Sequence, residues 1–111
     1  MKKTIYLWIS DEGWKPFDYE LQSTKDLLIS KSINISEGAK IGNEIKIDDG
    51  VEIGDRAKIG NEAKIGYGVE IGDRTKIGYG AKIGGEAKIG FGANISDLAK
   101  IGNKAKICFE A

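Results

Sequence analysis

An all-β solenoid is the fold class this sequence predicts, and three observations predict it. Fourteen isoleucines recur at an unbroken spacing of six: Ile29, Ile35, Ile41, Ile47, Ile53, Ile59, Ile65, Ile71, Ile77, Ile83, Ile89, Ile95, Ile101 and Ile107. Two residues before each stands a small or apolar side chain, often alanine (Ala39, Ala57, Ala63, Ala81, Ala87) or valine (Val51, Val69). Directly after most of them comes glycine, as at Gly42, Gly54, Gly60, Gly66, Gly72, Gly78, Gly84, Gly90 and Gly102. Six is a multiple of two and not of 3.6. Each isoleucine and the residue two before it therefore share the inner face of a strand, and the Lys or Glu between them points outward. The glycine is expected to permit a sharp bend. A strand of about four residues and a bend, repeated at fixed period, winds into a solenoid.

The motif A-K-I-G-x-x resembles the hexapeptide-repeat family of bacterial transferases, with every register position matched over 83 of 111 residues (29 to 111). The resemblance implies a left-handed parallel β-helix of triangular section, with three hexads per coil and hence about 4.6 coils. Strands stacked ~4.8 Å apart would make a prism about 22 Å tall. Each isoleucine would lie above the one eighteen residues earlier, and burying one is worth about 1.5–3 kcal/mol. Thr75 alone puts a hydroxyl in the small-residue column. The resemblance also implies a homotrimer.

Residues 1–28 stand outside the repeat and are expected to form an N-terminal cap, with the coils over 29–111. Thr4 to Ile9 carries β-formers and reads as a strand. Ser10 to Pro16 reads as a turn-rich connection, with Gly13 and the only proline. Phe17 to Leu28 fits either a second strand or a helical turn. Trp8, Trp14, Phe17 and Tyr19 cluster here. Because a solenoid needs its raw apolar end and strand edges covered, a capping role is expected ahead of an aromatic ligand pocket. The first inner residues of the coils, Leu27 and Ile33, are bulkier than the later ones.

At 111 residues the chain is one domain, and 17 basic against 17 acidic residues give it no net charge. No global field then attracts nucleic acid or a membrane, and neither is expected as a partner. No stretch approaches membrane-spanning length. The apolar run Ile5 to Ile9 is too short for a signal peptide and meets Asp11 and Glu12, so it reads as a mature N-terminus. One cysteine, Cys108, excludes an internal disulfide and fits a reducing compartment, so a cytoplasmic location is expected. The sequons at Asn34 and Asn94 then read as incidental.

A step of eighteen residues sorts the outward side chains onto three faces. One carries Glu44, Lys46, Glu62, Lys64, Lys82 and Lys100, read as ordinary alternating charge. The second carries Glu52, Glu70, Glu86, Lys88, Lys104 and Lys106; the third carries Lys40, Arg56, Lys58, Arg74 and Lys76. Like charges stacked about 5 Å apart disfavour one another unless neutralised, and Asp55 and Asp73 at the corners are placed to help. Stacked Asn43 and Asn61, and Asp55 and Asp73, are expected to satisfy turn backbone rather than to join Glu37 in a calcium site. Tyr67, Tyr79, Phe91 and Phe109 also fall at corners, and a Phe91–Phe109 pair marks a candidate contact.

Gly66-Tyr67-Gly68 and Gly90-Phe91-Gly92 precede no helix and lack the Lys-Ser/Thr of a phosphate loop. There is no histidine anywhere in the chain. Acyl- and acetyltransferases of the look-alike family use an interface histidine as general base, and its carbonic anhydrases hold zinc with histidines. No position here inherits either role, so no catalytic residue, metal or cofactor is expected. Ice binding wants arrays of threonine, and there are only Thr4, Thr24 and Thr75. The expected function is a non-catalytic structural or interaction module, a homo-oligomeric prism acting as scaffold or spacer. The alternative is a transferase-like protein without the usual histidine, binding acyl-CoA or a nucleotide-sugar between subunits. In a trimer, Glu52 and Glu70 are expected to face Arg56 and Arg74 of the neighbour, coil for coil. The coil end near Phe109 is expected to be covered tail to tail, giving end-to-end pairs of trimers.

Overall fold

The computed structural model describes residues 3–36 and 38–107. From Asn34 onward the described chain is a run of short parallel strands, β3 (Asn34–Ile35) to β15 (Lys106–Ile107). Strand pairs with strand at a step of eighteen residues, as Ile53 with Ile71, Ile59 with Ile77, and Ile65 with Ile83. Three parallel sheets result, wound as a β-solenoid of about four turns that is consistent with a left-handed β-helix.

The inner columns follow the alternation. Ile59, Ile65, Ile71, Ile77, Ile83 and Ile89 are each no more than 3% exposed, and Ala57, Ala63, Ala81, Ala87 and Ala93 are fully buried. Coil is bonded to coil on either side of each isoleucine: Lys58 N–H donates to Thr75 O (2.8 Å) and Gly60 N–H to Ile77 O (2.7 Å). The Thr75 hydroxyl is buried but satisfied, donating to Gly90 O at 2.9 Å.

The bend is not made by the glycine that follows the isoleucine. It falls two residues later, where Gly50, Gly68, Gly80 and Gly92 have positive φ. Glu44, Arg56, Glu62, Arg74, Glu86, Leu98 and Lys104 adopt the same left-handed conformation, with φ of 60–62°. That costs a non-glycine residue roughly 1–2 kcal/mol. A hydrogen bond to the previous coil fixes each corner: Glu62 N–H to Asn43 O (2.9 Å), Arg74 N–H to Asp55 O (2.9 Å), Leu98 N–H to Tyr79 O (2.7 Å). The glycine after the isoleucine serves close approach instead. A Cβ on Gly60 would lie 2.7 Å from the Gly78 carbonyl carbon and from Tyr79 N, closer than real Cβ atoms come.

The N-terminal segment covers the first coil. Strand β1 (Thr4–Ile9) stacks in parallel on Ile45–Ile47 and buries Ile5 and Leu7 completely. Strand β2 (Gly13–Asp18) returns antiparallel to β1, so the predicted connection over Ser10 to Pro16 is half strand. Pro16 is tolerated because β2 is the outermost strand of its sheet, where the missing N–H breaks no ladder. The ambiguous stretch Phe17 to Leu28 splits: its first two residues finish β2, and helix α1 (Gln22–Ser30) begins after a turn. The helix turns Thr24 and Leu28 into the core.

Ile29, the first isoleucine of the series, therefore does not enter the ladder. It lies in α1 at 74% exposure, because helical periodicity carries it about 100° around from Leu28. The inner column starts at Ile35, and α1 crosses the expected 28/29 division. Lys31 ties the helix end to the hairpin by donating to Trp8 O at 2.7 Å.

Ile71→Ala should destabilise by roughly 2–5 kcal/mol in denaturant unfolding, since a packed column loses a rung and keeps a cavity. Lys82→Ala should stay within about 0.5 kcal/mol; equal effects would mean inside and outside are reversed. Gly60→Ala should cost about 1–3 kcal/mol by overpacking one coil against the next.

Candidate functional site

With strands only two or three residues long, one outward side chain per coil stands on each face. The first face stacks Lys46, Lys64, Lys82 and Lys100, with Tyr6 of β1 above Lys46. The third stacks Lys40, Lys58, Lys76 and Asn94. The second differs: Asn34, Glu52, Glu70, Lys88 and Lys106 follow one another down a single column.

This sharpens the predicted faces and corrects them. Glu44 and Glu62 do not alternate with the lysines of the first face; they occupy left-handed corner positions, and so do Glu86 and Lys104. Arg56 and Arg74 likewise stand at the corner between the second and third faces, not on the third. The reason is the bend's position, which removes the third residue after each isoleucine from the strand.

The polar corner residues do what their stacking predicts. Asn61 Oδ1 accepts from Asn43 N–H (2.8 Å), and Asp73 Oδ1 accepts from Asp55 N–H (2.8 Å). Asp97 and Asn103 act identically on Tyr79 and Gly85. These two escaped the sequence reading because Tyr79 and Gly85 interrupt the Asn/Asp series at the eighteen-residue step. Oδ1 of each of these four residues is thus committed to turn backbone. Among the described residues no three His, Cys, Asp or Glu converge on a point that would hold a metal ion. Glu37 of the weighed calcium site lies outside the described residues.

Phe91 is exposed, and the Arg74 guanidinium lies 5.9 Å from its ring centre. Phe109 lies outside the described residues, and with it the Phe91–Phe109 pair. The Tyr79 hydroxyl donates to Glu62 Oε2 at 3.1 Å. That hydrogen bond and the Glu62 charge raise the Tyr79 pKa above its ordinary value, and burial raises that of Tyr19.

Trp8 and Trp14 meet edge to face at 5.6 Å on the outside of the hairpin, and Trp14 carries Lys46 Nζ 5.8 Å over its ring. They flank the first face, where Trp14 lines an open trough together with Lys46 and Lys64. Each face is a shallow trough, because the glycine beside the charged column has no side chain. The trough on the second face encloses about 550 Å³, against about 330 Å³ on the first and about 420 Å³ on the third. Along the second face one ion pair forms within the chain, Lys88 Nζ to Glu70 Oε2 at 3.8 Å. Glu52 and Lys106 have no ion-pair partner among the described residues.

Residues 50–85 match the family model described as "Bacterial transferase hexapeptide (six repeats)". Those residues carry the bacterial transferase hexapeptide repeat. Two solved acetyltransferases are similar to this chain over part of their length. One is a mutant GDP-perosamine N-acetyl transferase from Caulobacter crescentus, in complex with CoA and GDP-perosamine. It is 16% identical over 69% of this chain and 50% of its own, with a TM-score of 0.43. The other is serine acetyltransferase isoform 3 from Entamoeba histolytica, in complex with cysteine. It is 28% identical over 84% of this chain and 42% of its own, with a TM-score of 0.36. The chain thus spans half or less of the solved structures it matches. No curated protein matches it. No helix among the described residues is long and apolar enough to cross a membrane.

The raised pKa of Tyr79 gives a signed expectation. Its hydrogen bond to Glu62 contributes stability that is whole below the ordinary tyrosine pKa and is lost as pH rises through the raised value. Glu62→Ala should lower the Tyr79 pKa toward that of an ordinary tyrosine, read by NMR or phenolate absorbance; no downward movement would mean the bond does not persist in solution.

Proposed function

We propose that this chain is a non-catalytic structural or interaction module, a homo-oligomeric prism that serves as scaffold or spacer. The observation that carries the reading is the absence of excursion from the repeat. Among the described coils each hexad passes directly to the next, so the surface consists of three shallow faces of stacked charge. The corner carboxylates and amides that hold the turns are already committed to backbone donors. The full chain also contains no histidine to act as the general base that the family resemblance would supply.

The contact between copies is drawn to the second face rather than to the threefold pairing of Glu52 and Glu70 with Arg56 and Arg74. At the corner, Arg56 and Arg74 are matched in number by Asp55 and Asp73. That corner offers the two glutamates no net positive charge.

Sedimentation analysis should find more than one chain per particle, and a monomer at every concentration would overturn the reading. In an acetyl-CoA thiol-release assay with amino, hydroxyl and sugar acceptors, the protein should stay at background. Turnover that survives repurification would refute the non-catalytic part.

A further inference from the structure

We propose that the second face binds the second face of another copy, with the two prisms antiparallel, so that Glu52 meets Lys106 and Glu70 meets Lys88 across the contact. This rests on the homo-oligomer reading and names the surface and orientation that reading leaves open.

The inference comes from the order of charge down one column. Register places Glu52 on Glu70, Glu70 on Lys88 and Lys88 on Lys106, two acids followed by two bases at equal steps. A two-fold axis lying between two facing copies can run in either of two principal directions. Along the prism axis it preserves height, so Glu would meet Glu and Lys would meet Lys. Along the strand direction it inverts height and keeps position along the strand, so column meets column in reverse order. Centred between Glu70 and Lys88, that second axis opposes every acid to a base, twice over by symmetry.

The other faces cannot do this. The columns Lys46-Lys64-Lys82-Lys100 and Lys40-Lys58-Lys76 are basic throughout and repel their own copies in any orientation. Only the second column is complementary to its own inversion.

Among the described residues this column is left partly uncompensated. Glu52 and Glu70 stack as like charges about 4.8 Å apart, and so do Lys88 and Lys106. The internal pair Glu70–Lys88 relieves the middle, at 3.8 Å. The outer residues Glu52 and Lys106 find no partner among the described residues, three coil steps or about 14 Å apart. A second, inverted copy brings Lys106 to Glu52 and Glu52 to Lys106 at once. The trough of about 550 Å³ along this face, with Gly54, Gly72 and Gly90 at its floor, leaves room for the facing side chains to interleave.

The test is charge inversion in the full chain, followed by sedimentation velocity at low ionic strength. Glu52→Lys with Glu70→Lys makes the column wholly basic and should weaken self-association about tenfold or more. Adding Lys88→Glu and Lys106→Glu inverts the whole column, restores its self-complementarity, and should bring association back to within a few-fold of the original. Circular dichroism melting establishes that each variant is folded. Arg56→Glu with Arg74→Glu should leave association unchanged. If the original chain self-associates but the double lysine variant does so equally well, the antiparallel contact is wrong while the homo-oligomer reading stands. If the double variant dissociates and the fourfold inversion fails to rescue it, or the arginine variant alone dissociates the assembly, a threefold or other contact replaces the one proposed. If the original chain is monomeric throughout, both this inference and the homo-oligomer reading fall.

Discussion

Coil lies on coil at backbone-to-backbone distance, and the rest of the molecule depends on that contact. At Gly60 and Gly72 a single added carbon would lie within 2.7–2.8 Å of the backbone of the next coil. The same closeness lets the glycine N–H reach the isoleucine carbonyl of the next coil, Ile77 from Gly60 and Ile89 from Gly72, at 2.7 Å in both cases. One residue type thus permits the approach, and the approach makes the hydrogen bond. Where a residue with a Cβ stands at that point, as Ser36 and Asp48 do, the same hydrogen bond to the next coil forms at a longer 3.1 Å. With only two inward side chains per hexad, the thin core depends on each isoleucine meeting the one above and below it.

The same stacking dictates the surface. Side chains at the outward position are forced into columns one strand spacing apart, whatever their charge. On two faces the columns are lysine throughout or nearly so, with no acid at the outward position. On the second face the sign reverses midway, and the reversal makes that column complementary to its own inversion. Net charge, zero for the whole chain, conceals this entirely. The corners are electrically busy but structurally employed: Asn61, Asp73, Asp97 and Asn103 all accept backbone N–H groups from the preceding coil. Carboxylates so engaged make poor candidates for ligands or catalysts, since withdrawing them would orphan a turn donor.

The cap shows how a repeat can be begun without being followed. Strand β1 joins the first face in register, setting Ile5 beside Ile45 and Leu7 beside Ile47. Its spacing to the ladder is not a multiple of six, so it is a rung in space without being one in sequence. Helix α1 then covers apolar surface with Thr24 and Leu28, and uses no ladder residue to do so.

The sequence by itself determined the β-solenoid, the inner columns from Ile35 onward and the three faces, because a fixed period of six residues allows only one way to keep every isoleucine inside. It also determined that stacked Asn and Asp would serve the turns. Tertiary structure decided what periodicity cannot express. Ile29 obeys the six-residue count yet belongs to a helix, since tertiary packing of Leu28 outweighs one more rung. The bend lies at positions such as Arg56, Glu62 and Arg74 rather than at the glycines directly after the isoleucines, because the inter-coil hydrogen bond from each corner N–H compensates the left-handed backbone. That displacement moved Arg56, Arg74, Glu86 and Lys104 off the faces, and only then did Glu52, Glu70, Lys88 and Lys106 stand alone as one column. A spacing of eighteen names the residues that stack; the conformation of the turn between them decides which of those residues a neighbouring molecule can meet.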